Sequence, residues 1–120
     1  MNTELKNAVE QLIAEVEKTE LEYAAARSEK RRIENRKLRI ETDIARRITF
    51  EEGFKNEAQR NVAQSLARFK NDEWVKLHEI ELPEIDNKCI LLYFKMRRQH
   101  EWISAHLGGV VNIHSFGIFA

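Results

Sequence analysis

A stripe of apolar and near-apolar residues from Leu5 to Ile44 constrains this chain more than any other feature. Leu5, Val9, Leu12, Val16, Thr19, Tyr23, Ala26, Ile33, Ile40 and Ile44 fall on one alternating three-and-four step. At 3.6 residues per turn this step keeps a narrow seam on one side of a long helix, the pattern of a coiled coil rather than of a broad globular face. Lys30 and Lys37 interrupt it. A helix over residues 4–47 would be about 65 Å long at 1.5 Å per residue, too long to persist in water without a partner arm. The rest of the chain, or a second copy, has to supply that arm.

Composition points the same way. Charged residues make up 33% and hydrophobic residues 42%, with one proline and four glycines, the bias of helical and coiled-coil proteins. The expected fold is therefore all-α. The 120 residues fit one domain by length, and an elongated chain of that size buries little surface, so its stability rests on the seam. Cys89 is the single cysteine, which excludes an internal disulfide and fits a reducing compartment such as the cytoplasm. The polar N-terminus shows no apolar leader, and no run approaches the roughly eighteen apolar residues of a membrane helix, so neither secretion nor membrane insertion is expected.

Net charge is zero but unevenly placed. Residues 1–26 carry two basic and six acidic groups, and residues 27–47 carry nine basic and four acidic. Residues 48–88 carry six basic against nine acidic, and residues 89–120 three against one. The basic stretch is the one segment whose charge suggests a polyanionic partner.

In chain order, Thr3 can cap the first helix and Glu4 suits its first turn. The helix is expected over 4–47, followed by a turn over 48–56 that contains Gly53, Phe50 and Phe54. Asn56 can then cap a second helix, with Gln59 three residues on as in a capping box and Glu57 in the favoured first turn. The run Lys55-Asn56-Glu57-Ala58-Gln59-Arg60, close after a glycine and behind a long charged helix, resembles small helical-hairpin proteins encoded by bacteriophages and prophages. Here Phe54 stands between Gly53 and Lys55. The resemblance implies a helical hairpin over roughly residues 4–107 and a phage context, as an accessory or an inhibitor of a host system. It implies no catalytic activity.

Val62, Leu66 and Phe69 continue a stripe on the second arm, and Asn71 or Asp72 can recap a helix where the register shifts. Val75, His78, Leu82, Ile85, Cys89, Leu92, Met96, Gln99 and Ile103 then form a second run on the three-and-four step, with Pro83 inside it. If the chain bends at Pro83, the second arm over 57–107 matches the first in length. The product is a long antiparallel helical hairpin, its second arm interrupted near Asn71 and Pro83, with Pro83 beside Tyr23–Ala26. If Leu82–Asn87 is a true turn, the last helix folds back on the second instead. Length matching and the continuous stripe favour the hairpin. Glu73 or Asp72 would then be the nearest acids of the same chain to Lys30 and Lys37. Gly108 and Gly109 stop the helix, and residues 108–120 form a short apolar tail with Val111, Ile113, Phe116, Ile118 and Phe119.

Chemistry-bearing motifs are missing. There is no phosphate loop, no metal-ligand spacing and no nucleophile motif, so no enzyme, metal or cofactor is expected. His78, His100, His106 and His114 are scattered, and Cys89 on the seam reads as a small buried hydrophobe. Two sets of candidate residues remain. Trp74, Phe94 and Trp102 stand off the second seam and, with the tail, form a candidate protein interface that implies self-association or a protein partner. Arg31, Arg32, Arg36, Arg39 and Arg46 lie on outward positions of the basic stretch and could contact a phosphate backbone. Against that, Glu29, Glu34, Glu41 and Asp43 stand at pairing distance from the same arginines, and no aromatic interleaves them. The sequence thus favours a non-enzymatic interaction or assembly module, with a nucleic-acid-binding accessory as the alternative.

Overall fold

The computed structural model describes residues 3–50, 53, 54 and 56–106. Every regular element among them is helical, in agreement with the all-α expectation. Helix α1 spans Thr3–Phe50, α2 Glu57–Lys70, α3 Asp72–Lys76 and α4 Leu82–His106, with a π-helical turn over Leu77–Glu81 joining the last two. The expected tail residues Val111, Ile113, Phe116, Ile118 and Phe119 lie outside the described residues.

No glycine or proline falls in α1, which is why nothing breaks it over 48 residues. It runs three residues beyond the expected end at Arg47, because Ile48 lies one turn after Ile44 and is buried with it. Gly53 then reverses the chain with φ +67°, a conformation that costs other residues energy. Asn56 caps α2 as expected, its Oδ1 accepting the Gln59 backbone N–H at 2.8 Å. Asn71 ends α2 and starts α3 in one residue. Its backbone N–H donates to the Arg68 carbonyl at 3.1 Å, and its Oδ1 accepts the Trp74 N–H at 2.9 Å.

Of the two outcomes open at Pro83, the structure shows the first, an arm that carries on through the proline. Leu82–Asn87 is helical, so it is not a turn, and the helix is continuous on both sides of the proline. The π turn explains how. Pro83 lacks an N–H, and its ring would crowd the carbonyl four residues back in an α-helix. In the wider turn the Leu82 N–H reaches back five residues to the Leu77 carbonyl, which relaxes the ladder just where the proline ring arrives.

The chain divides into two compact units. One contains residues 1–27 and 87–120, and among its described residues Val16, Thr19, Ala26, Met96, His100 and Ile103 are buried. The Tyr23 and Tyr93 rings lie 6.3 Å apart, and Glu20 faces His100, which makes the two strands of chain antiparallel there. The Thr19 hydroxyl donates to the Glu15 carbonyl at 3.0 Å, so this polar seam residue is buried with its hydrogen bond made inside α1.

The other unit contains residues 28–86, and among its described residues Ile33, Ile44, Ile48, Trp74, Leu77 and Ile85 are the buried apolar ones. It is antiparallel too, with Lys30 bridged to Asp86 at 2.6 Å and Glu41 bonded to Trp74. Pro83 falls between these two links rather than beside Tyr23–Ala26 as the arm-length argument expected. The register is displaced by roughly two turns because α2 takes up chain without being laid into the seam, and none of its residues is buried. The same displacement reassigns the seam lysines. Lys30 meets Asp86, Lys37 meets Glu41 at 3.9 Å, and Glu73 bonds to Arg36 instead.

Candidate protein interface

Helix α2 carries the clearest anomaly in the molecule. Its sequence is amphipathic: at 100° per residue Ala58, Val62, Leu66 and Phe69 share one stripe, while Arg60, Gln64 and Arg68 lie on the opposite side. A helix of this kind ordinarily turns the apolar stripe inward. Here Val62, Leu66 and Phe69 are 61%, 56% and 60% exposed, while Arg60, Ala63, Gln64, Ala67 and Arg68 are only half-buried against the unit. The three residues do share one stripe as the spacing predicts, and it faces outward. The Arg60 guanidinium donates to the Phe54 carbonyl at 3.4 Å, which helps fix the polar side inward.

Two open grooves flank the stripe and share Ala63 and Leu66 as lining. A groove of about 560 Å³ is walled by Phe54, Ala58, Gln59 and Val62, and one of about 460 Å³ by Arg47, Ile48, Ala67, Lys70 and Asn71. Phe50, at the end of α1, is also exposed.

Next to this face stands a tightly built aromatic cluster. Trp74 was expected off the seam with little of its own chain to pack on, yet it is 4% exposed. Its indole stacks on His78 at 4.5 Å and meets Phe69 edge-on at 5.4 Å. Its Nε1–H donates to Glu41 Oε1 at 3.0 Å, and Lys37 Nζ lies 5.5 Å from the ring centre. Trp74 is thus a core residue that braces Phe69, rather than a contact for a partner. Phe94 and Trp102, the other two candidates on the second arm, are 50% and 47% exposed in the unit that contains residues 87–106.

The basic candidates stay on the outside. Arg31, Arg32, Arg36, Arg39 and Arg46 are all exposed on α1. Arg32 pairs with Glu29 at 2.9 Å, and Arg36 with Glu73, so two of the five already have acidic partners. Arg32, Arg39 and Arg46 follow one another at seven-residue spacing, about 10 Å apart along the helix.

One polar arrangement had no signature in the sequence. His100 is 2% exposed, with its Nε2 at 3.6 Å from Glu20 Oε1. Burial pushes the His100 pKa below its ordinary value of 6.5, and burial with repulsion from Glu17 raises that of Glu20. Burial therefore favours the neutral imidazole. It lay at an off-seam position one residue from Gln99, and only the packing of α4 shows it turned inward. Cys89 is partly covered. Among the described residues no cluster of His, Cys, Asp or Glu is placed to hold a metal ion, and no helix is long and apolar enough to cross a membrane.

Comparison of the chain with protein-family models, with curated proteins and with solved structures found no match.

Proposed function

We propose that this chain is a non-enzymatic protein–protein interaction or assembly module, of the kind that a phage-encoded accessory or inhibitor of a host system would use. The observation that supports this reading is the inverted α2. Its apolar stripe faces water while its polar side faces its own unit. Leaving a Leu, a Val and a Phe of one helix more than half exposed forgoes over half of the about 1.5–3 kcal/mol that full burial of each would supply. A contiguous face of that kind, next to grooves lined by Phe54, Ala58 and Val62, suits a helical or apolar partner surface. The test is affinity capture with the full chain and with Leu66→Asp. Proteins held by the wild type and lost by the variant, whose helical circular dichroism is retained, support the reading; identical sets from both overturn it.

A second reading, nucleic-acid binding through α1, draws on the exposed line of Arg32, Arg39 and Arg46. Phosphate contacts release counterions, so affinity for labelled DNA or RNA would fall steeply between about 50 and 200 mM salt. Fluorescence anisotropy with Arg32, Arg39 and Arg46 changed to Glu tests it. Salt-insensitive or absent binding eliminates it.

A further inference from the structure

Resting on the interaction reading, we propose that the partner for the α2 face is a second copy of this chain, the two α2 helices packing antiparallel about a two-fold axis. Three observations support self-pairing over an unrelated partner.

The first is shape. The protruding Phe69 lies in the C-terminal half of α2, and the wider groove, walled by Phe54, Ala58 and Gln59, lies at its N-terminal half. A two-fold axis through the middle of α2 exchanges these halves. It seats Phe69 of each copy over Gln59 and Ala58 of the partner subunit, with Val62 against the partner's Leu66. Knob and hole lie at equal distances from the midpoint, which is the condition for an isologous interface. The second is charge. Glu57 opens α2 and Lys70 closes it, so the antiparallel arrangement brings the acidic end of each helix level with the basic end of its partner. It also opposes the two helix dipoles favourably.

The third is area. With Val62, Leu66 and Phe69 each more than half exposed, the apolar stripe and the Phe54 wall offer on the order of 400 Å² per copy. With a rim of Gln59, Ser65 and Lys70, a pair buries roughly the 1,000 Å² that separates stable interfaces from incidental contacts. The face is therefore large enough for a reversible dimer.

The test is sedimentation velocity on the full chain over a range of concentration, with Leu66→Asp alongside and cysteine cross-linking in a Cys89→Ser background. The wild type is expected to form a dimer, and Leu66→Asp to weaken association by about a hundredfold, since each dimer loses two central contacts. Ser65→Cys, close to the axis, is expected to form an intermolecular disulfide on mild oxidation. Gln59→Cys is expected not to, because antiparallel pairing holds the two copies of residue 59 about 15 Å apart, beyond disulfide reach. A wild type that stays monomeric at about 200 µM overturns self-pairing. So does a dimer indifferent to Leu66→Asp, or cross-linking through Gln59→Cys. A monomer whose capture of other proteins still depends on Leu66 overturns this inference alone and leaves the interaction reading standing.

Discussion

Helices α1 and α2 carry stripes of similar chemistry with opposite fates. In α1 the stripe is narrow and long, and its members Val16, Ala26, Ile33 and Ile44 are buried along most of its run. In α2 the stripe is concentrated into three turns, and Val62, Leu66 and Phe69 face water. Amphipathicity fixes which residues want cover, but the connections decide whether the chain can deliver it. Helix α2 is held at both ends by asparagine caps and by Arg60 reaching back to Phe54, which sets its roll before the stripe has a say. An apolar stripe on one helix is therefore evidence for the fold, and on the other evidence for a partner.

That contrast can be broken at several points. The largest effect is expected at Trp74, where Trp74→Ala should cost about 3–5 kcal/mol by removing a buried ring that holds Phe69 and His78 and bonds Glu41. Urea unfolding followed by circular dichroism measures it, and a loss below about 1 kcal/mol would show that the cluster is not a core. Ile44→Ala, in the α1 seam, should cost about 2–4 kcal/mol in the same measurement.

Acid sharpens the comparison from the other unit. The His100 pKa is lowered on folding, so its contribution is intact above its ordinary 6.5 and is lost as pH falls below that value. Stability should therefore drop as pH is taken from 7 towards 5.5, with a slope of at most about 1.4 kcal/mol per pH unit. His100→Leu should flatten it. Glu20 acts in the opposite sense, since its raised pKa costs stability above that pKa and the cost is relieved as pH falls through it. A wild type and a His100→Leu variant with equal pH slopes would show that His100 is not the titrating group.

The smallest effect is expected on α2. Leu66→Ala, measured at a protein concentration low enough that association contributes nothing, should change stability by no more than about 0.5 kcal/mol. A cost near that of Ile44→Ala would mean that the α2 face is covered within the chain, and it would remove the basis for a docking surface.

The sequence made legible those features that are local. The α1 seam, the Asn56 cap and the Asn71 recap follow from spacing and side-chain chemistry within a few residues. The second arm was readable only in part, for a definable reason. Carrying the three-and-four step back from Ile103 and Met96 places Val75 and His78 on the seam, whereas Trp74 and Leu77 are the buried residues. The π turn over Leu77–Glu81 inserts close to one extra residue, so the pattern before it lies one position earlier. Nothing in the spacing announces that slip except Pro83. The candidate surface was harder still. Its residues were visible as a stripe, but which way α2 rolls is set by packing, and the same information turned Trp74 from an expected contact into a core residue. His100 stayed hidden because a single histidine has no periodicity to read.

Each compact unit holds one of the two tryptophans, and the two sit in opposite surroundings. Trp74 is enclosed and stacked on His78, whereas Trp102 is nearly half exposed. Intrinsic fluorescence therefore carries two colours of signal from one polypeptide, a bluer emission from residues 28–86 and a redder one from the other unit. Replacing either indole by phenylalanine would isolate the other, and chemical unfolding watched in the two single-tryptophan proteins would reveal whether the halves melt as one cooperative body or in succession.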